Sequence, residues 1–182
     1  MPTVFTHAAV PLMLGAALPR QPFSWRLVVF GAACAMLPDA DSISFRLGVQ
    51  SGSLFAHRGM THSIGFALLI AGMTAIIAPQ LKTTRKIAFI FVGMTTLSHP
   101  IFDMLTNGGS GVALWFPFSA ERVRFAWRPI LVAPISLERF LTERGVRVML
   151  SEFRWLWLPT TVLATAIWLI RRMQDNEMRN EE

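Results

Sequence analysis

The sequence predicts an all-α protein, a single domain over 1–182 built as a polytopic bundle of four to five membrane helices with an amphipathic stretch lying on its surface. Three observations carry this reading. Of 182 residues, 53% are hydrophobic and 15% charged, well below the roughly 25% charge with which a soluble domain coats itself. The mean hydropathy is +0.46. The apolar residues fall into long runs separated by short breaks marked by charge, Pro or Gly, which is the pattern of successive membrane crossings. Disorder is excluded, because 14 Phe and 6 Trp supply more apolar surface than a disordered chain carries. A disulfide framework is excluded too, Cys34 being the sole cysteine. In so apolar a chain the net charge of +6 points to a lipid bilayer, and no nucleic-acid partner is expected.

The first run, 4–18, is short against the roughly 20 residues of a crossing helix. No Lys or Arg precedes Arg20, so this run is expected to stay as a helix rather than be cleaved as a signal. The second, 27–37, is also short and meets Pro38, which ends a helix. Runs 63–81 and 87–105 are long enough to span. Run 155–170 is marginal, with Trp155 and Trp168 placed near its ends as interfacial anchors. The stretch 106–154 carries apolar and cationic residues and is expected to lie at the interface. Its Gly108-Gly109-Ser110-Gly111 break fits either a hinge that lets it move as a lid or an ordinary turn. A charged tail, 171–182, follows.

Threaded in order, the breaks alternate between two faces. One face collects Arg20, Arg26, Lys82, Arg85, Lys86, Arg171 and Arg172. The other face carries Arg46, Arg58 and the arginines between 122 and 154, most of them in a longer stretch where the positive-inside rule counts less. The rule then makes the first face cytoplasmic, which sets the N-terminus outside and the C-terminal tail inside a bacterial inner membrane. All four histidines, His7, His57, His62 and His99, and three of the four aspartates, Asp39, Asp41 and Asp103, land together on the other face.

Their spacing indicates ligation. His99 and Asp103 stand i, i+4 and share a helix face. After Pro38, an extended alternation would point the Asp39 and Asp41 carboxylates the same way. In His57-Arg58-Gly59-Met60-Thr61-His62-Ser63, Gly59 permits a tight turn between two imidazoles and Thr61 is in place to cap the next helix. Seven such groups in a chain so poor in charge are expensive beside lipid unless something pairs them. Imidazole with carboxylate suits zinc, manganese or iron. Taken one at a time, each group also fits a polar interhelical contact, a turn or a proton relay.

Leu-Pro-Asp-Ala-Asp at 37–41, His-Arg-Gly-Met-Thr-His-Ser at 57–63, Ser-His-Pro-Ile-Phe-Asp-Met-Leu-Thr at 98–106 and Trp-Phe-Pro-Phe-Ser at 115–119 resemble the YdjM family of bacterial inner-membrane proteins, described as metal-dependent hydrolases. The resemblance runs from about residue 7 to about residue 129. It implies a distant similarity to the zinc-dependent phospholipase C and P1 nuclease group, and ligand roles for His7, Asp39 or Asp41, His57 or His62, and His99 with Asp103. That group adds further histidines, whereas none follows Asp103 here. One or two divalent ions are therefore implied, zinc first and manganese second.

The chemistry implied is hydrolysis by metal-activated water, with Asp41 or Asp39, whichever is not a ligand, as proton acceptor. Arg58 between the histidines, and Arg124 and Arg128 near Phe125 and Trp127, present guanidinium forks suited to phosphate oxygens. The same basic, aromatic stretch also fits a headgroup-binding membrane surface. Either way the substrate expected is a lipid or lipid-linked phosphoester, with Arg58 and Arg124 catalytic, Arg128 and Ser119 helping to bind it, and Ser119 and Thr106 orienting neighbouring groups. Phosphate-binding Pro-Ser-Gly-His and protease His-Glu-x-x-His stretches are absent. The competing classes are a metal- or proton-coupled transporter, which would open to both faces in turn, and a membrane protein with a closed structural metal.

Overall fold

In the computed structural model, which describes residues 1–50, 52–134 and 136–180, the chain forms α1 (Val4–Ala17), α2 (Trp25–Met36), α3 (Ile64–Ile76), α4 (Arg85–Met104), α5 (Leu137–Phe140), α6 (Glu143–Glu152) and α7 (Leu158–Asn180). Two 3₁₀ segments, Leu37–Phe45 and Met60–His62, and a π-helical turn, Phe153–Trp157, complete the regular structure. The described residues contain no strand, only isolated bridges pairing Thr106 with Ile130 and Val112 with Val123. Of the charged tail, 181–182 lie outside the described residues.

Hydroxyl side chains start most of the helices. Ser24 accepts from the Leu27 N–H, Ser63 from Phe66, Thr84 from Ile87, Ser136 from Arg139 and Thr142 from Arg144. Each removes an orphan donor, worth about 1 kcal/mol. Thr61 does not cap α3 as the sequence suggests. Ser63 does, and the Thr61 hydroxyl is spent elsewhere. The second apolar run also outlasts its expected end. Pro38 sits at the start of the 3₁₀ segment, where its missing N–H costs nothing. The chain thus stays helical over Trp25–Phe45, 21 residues, long enough to cross a bilayer. Arg85–Met104 and Glu143–Asn180 are also long and apolar enough to cross, whereas Val4–Ala17 and Ile64–Ile76 are shorter.

The helices pack in the lateral order α7, α1, α2, α4, α3. Close approach depends on small residues, since lipid offers no hydrophobic drive between helices. A Cβ on Gly31 would lie 2.6 Å from the Phe91 ring, and one on Gly15 would enter Val28. Leu27 and Val28 of α2, Phe91 and Val92 of α4, and Ala78 and Leu81 from the α3–α4 connection form the buried core. This core fills the middle of the bundle and the end away from His99 and Asp103. Large apolar side chains such as Leu68, Met73, Ile90, Leu163 and Ile170 face outward. The polar histidines face inward, an arrangement that only a hydrocarbon solvent rewards.

The stretch after α4 covers the histidine-bearing end. The Ile64 N–H donates to the Leu114 carbonyl at 2.9 Å, and a Cβ on Gly65 would lie 2.7 Å from the Phe116 oxygen. Glu152, fully buried at the end of α6, then reaches back to the start of α1. It accepts from the Thr3 N–H (2.7 Å), the Thr3 hydroxyl (2.6 Å) and the Thr6 hydroxyl (2.5 Å). The π turn brings Trp157 Nε1 to the same Thr6 hydroxyl at 2.8 Å. A carboxylate at a helix N-terminus also faces the positive end of the helix dipole. Replacing Glu152 with Ala strands these buried donors, and the expected cost is about 3 kcal/mol. Thermal unfolding in detergent should show a lowered midpoint for Glu152→Ala and a partial recovery for Glu152→Gln.

Candidate metal centre

Four elements deliver the polar side chains to one buried cluster. His7 lies on the first turns of α1, behind the Glu152 clamp; His99 and Asp103 lie on the last turns of α4, one turn apart. Asp39 and Asp41 come from the 3₁₀ segment after α2, and His62 from the short one before α3. His7, His62 and His99 are 0% exposed and Asp103 is 1%. His62 Nε2 lies 3.1 Å from His99 Nε2, 3.4 Å from Asp103 Oδ2 and 3.9 Å from Asp39 Oδ1. His99 Nε2 is 3.3 Å from Asp39 Oδ1, and His7 Nε2 is 4.0 Å from Asp103 Oδ1. The His7 and His99 rings stack at 3.6 Å.

The hydrogen bonds fix which ring nitrogens are free. His99 Nδ1 is 2.7 Å from the Ala35 carbonyl, which has no proton to give, so Nδ1 donates and Nε2 keeps its lone pair. His57 Nδ1 is 2.6 Å from Asp41 Oδ1, and His62 Nδ1 is 3.1 Å from Asp41 Oδ2. The same rule turns both Nε2 atoms away from Asp41. Carboxylate–imidazole pairs of this kind orient metal-binding histidines.

Asp41 therefore departs from the expected picture. Its oxygens also accept the Thr61 hydroxyl at 2.5 Å and the Arg58 N–H at 3.2 Å, which occupies the carboxylate and sets it behind the imidazoles. Asp39 and Asp41 do not point the same way. At three residues per turn, positions i and i+2 of a 3₁₀ helix diverge, whereas those of an extended chain align. Asp39 faces His62 and His99, and Asp41 holds His57 and His62 from the other side.

Several buried polar atoms in the cluster have no hydrogen-bond partner: both nitrogens of His7, both carboxylate oxygens of Asp39 and Oδ1 of Asp103. Such atoms are costly unless a cation satisfies them. Two ligand sets follow from proximity. His7, His99 and Asp103 offer atoms within 4.8 Å of one another, as do Asp39, His57 and His62. Without a cation, His62 takes up a proton: burial lowers its pKa, but hydrogen bonds with Asp103 and then Asp41 outweigh that and raise it to about 9.

Arg58 enters the cluster as an ion-pair partner. Its backbone is left-handed at φ 67°. Its Nε donates to Asp103 Oδ2 at 3.0 Å, Nη1 to the Gly108 carbonyl and Nη2 to the Thr106 hydroxyl, each at 2.8 Å. Thr106 thus orients Arg58. Gly109, at φ 84°, packs against the guanidinium with no room for a Cβ. The glycine stretch expected to hinge a lid is here the roof over Arg58. A cavity of about 380 Å³ opens beside it, lined by the polar His57, Arg58 and Ser110 and by the apolar Phe45, Val49 and Val132.

The remaining residues expected to hold substrate lie elsewhere. Among the described residues, no hydrogen bond or ion pair joins Arg124, Arg128 or Ser119 to the cluster. Arg124 is exposed, and Ser119 caps a turn by accepting the Glu121 N–H. Arg122 stands closest instead. Nη1 donates to the His57 and Gly111 carbonyls, both at 3.3 Å, and Nη2 to the Ser53 carbonyl at 3.0 Å. Burial, then the nearby Arg58, make Arg122 a weaker base than a free arginine. The Val112–Val123 bridge decides which arginine comes near, because it sets Arg122 beside Gly111. No local sequence signal announces that pairing. The Glu152 anchor is likewise illegible, since its partners Thr3 and Thr6 lie 149 and 146 residues away.

Residues 1–178 match the family described as YdjM inner membrane protein. The inner membrane protein YbcI of Escherichia coli (strain K12) is 42% identical over 173 residues, which cover 94% of this chain and 100% of that protein. No solved structure matches.

Arg58 and Gly109 form a unit open to direct test. Gly109→Ala places a side chain where the guanidinium lies and strains the backbone, and is expected to cost roughly 1–3 kcal/mol. Thermal unfolding in detergent should register that loss, whereas Gly72→Ala, with open space around it, should leave the midpoint unchanged or raised.

Proposed function

The chain belongs to the YdjM inner membrane protein family, and from that premise we propose that its histidine–aspartate cluster is the divalent-metal centre, zinc or manganese, of a membrane-bound hydrolase acting on a lipid or lipid-linked phosphoester. The observation that carries this reading is the set of unpartnered buried atoms on His7, Asp39 and Asp103. An apolar bundle that only had to fold would not retain them. The donor set fits the ion. His7, His99 and Asp103 would hold it in one set and Asp39 and His62 in the other, with nitrogen and carboxylate oxygen in proportions that zinc and manganese accept. A bound ion of this kind supplies an acidified water and a counter-charge for phosphoryl oxygens.

The chain's own residues do the rest. Asp41 fixes the tautomers of His57 and His62. His57 lines the cavity with Nδ1 held by Asp41. In this reading its Nε2 takes the proton of the attacking water and returns it to the leaving oxygen, the role that the sequence suggested for Asp39 or Asp41. Arg58, anchored by Asp103, Thr106 and Gly108, offers charged donors to the phosphoryl group as charge builds there. Phe45 and Val49 limit water in the cavity.

The cation clusters at 20–26, 82–86 and 171–172 mark the end of the bundle away from the cluster. The positive-inside rule then faces the metal centre outward from the inner membrane, with α7 leading its tail into the cytoplasm.

Elemental analysis of detergent-purified protein should find one or two equivalents of zinc or manganese. Asp103→Ala and His99→Ala should lose both the metal and phosphoester turnover while remaining in the membrane. Asp41→Asn should keep the ligands and weaken metal affinity by about 10- to 100-fold. Turnover retained in Asp103→Ala overturns the hydrolase reading, and bound metal without turnover on any phosphoester favours a carrier or structural site. Orientation has its own test. In a Cys34→Ala background, Ser110→Cys should react with a membrane-impermeant maleimide added to the periplasmic side of intact inner membrane.

A further inference from the structure

A second cavity adjoins the one beside Arg58. It holds about 360 Å³ and is lined by Val4 and Phe5 of α1, Ser42 of the 3₁₀ segment, Pro134, and Leu137 and Phe140 of α5. Met1, Phe45 and Ala133 wall both cavities. Within that shared wall the Ala133 N–H bonds to the Met1 carbonyl at 3.0 Å. The two spaces thus lie side by side and have unlike ends. His57 and Arg58 close the inner end, and among the described residues no acidic side chain lines either half. Arg122 stands just beyond, across the His57 carbonyl. The outer end is hydrocarbon, and its rim is bare, with Phe5 70% and Leu137 71% exposed.

The surroundings identify what meets that rim. Ile43, Leu47 and Phe55, large apolar residues at the same end of the bundle, are exposed as well. A patch of this kind is at home in the acyl boundary of a bilayer and costly in water. Resting on the hydrolase reading, we propose that the two cavities act as one cleft, joined past Phe45 and Ala133, that binds one anionic phosphoester amphiphile. Its headgroup lies against His57 and Arg58, and its hydrocarbon chain passes the Phe45–Ala133 neck and leaves between Phe5 and Leu137. The inner end matches a phosphate in charge and in guanidinium geometry. The outer end matches a chain that enters sideways from the membrane. Phe45 is the gauge of the cleft: its ring lies 5.3 Å from that of His57 and it also lines the outer half, so it touches the chain next to the reacting group. Leu137, Phe140 and Phe5 then determine specificity for the chain and leave the chemistry alone.

The test is binding, read separately from turnover. Full-length protein in nanodiscs of zwitterionic lipid is titrated with hexadecylphosphonate and with butylphosphonate, neither of which can be hydrolysed as an ester. Wild type is expected to bind the long probe at least roughly tenfold more tightly, because the added methylenes leave water. Leu137→Ser, at an exposed position, should abolish that preference and leave the affinity for butylphosphonate unchanged. Phe5→Ser should act in the same direction. Arg58→Gln should weaken both probes. Equal binding of long and short probes by wild type, or a chain preference untouched in both rim variants, overturns the cleft. Chain preference without turnover on any phosphoester sinks the hydrolase reading and keeps the cleft, whereas turnover of short phosphoesters without chain preference does the reverse.

Discussion

Four imidazoles and three carboxylates held together at one end of an apolar bundle impose the constraint from which the rest of this structure follows. Each carries lone pairs or charge that hydrocarbon cannot solvate, so each must find a partner inside the protein or bind a cation. The architecture is organised around that demand. Asp41 turns two rings, the Ala35 carbonyl turns a third, and Arg58 neutralises part of Asp103. Only His7, Asp39 and one oxygen of Asp103 are left over, and these three belong to different helical elements. An ion in each of the two ligand sets would tie α1 to α4, and the 3₁₀ segment after α2 to the residues that precede α3, and would complete the packing that the side chains begin.

The outer architecture serves the same end. Glu152 and Trp157 bind the first turn of α1, which connects the position of His7 to the far end of the chain. Arg122 links the Ser53–His57 loop to the glycine stretch, and that stretch roofs Arg58. Removing a distant residue such as Glu152 therefore acts on the cluster without touching it. The exposed apolar surfaces of α3, α4 and α7 are the counterpart: they dissolve the bundle in lipid, and the polar interior is what the bilayer then shields from water.

The arginines show how local reading goes astray. Arg124 and Arg128 sit among aromatic residues and look like phosphate clamps, yet neither reaches the cluster. Arg122, from the same segment, has no better local signature, but the bridge between Val112 and Val123 sets it beside Gly111. Two extended segments paired over a single residue leave no periodic pattern in the sequence. The carboxylates of Asp39 and Asp41 depart from the extended alternation for a related reason. Alternation along a chain predicts direction only if the backbone conformation is known, and Pro38 is compatible with both an extended chain and the first turn of a 3₁₀ helix.

The order of residues alone specifies an all-helical membrane protein, the course of its apolar segments and the polar residues at their ends. Composition and periodicity suffice for that, because a bilayer rewards long apolar helices and penalises every polar group placed among them. Spacing sufficed for His99 and Asp103 as well, since one helical turn separates them whatever surrounds it. Only the tertiary structure decided the division of labour: Asp39 facing the imidazoles, Asp41 behind them, Arg58 on Asp103, Arg122 in place of Arg124, and Glu152 as the anchor of α1. These roles depend on contacts between elements far apart in the chain, and the energy of such contacts lies in their geometry, which no local pattern of residues encodes.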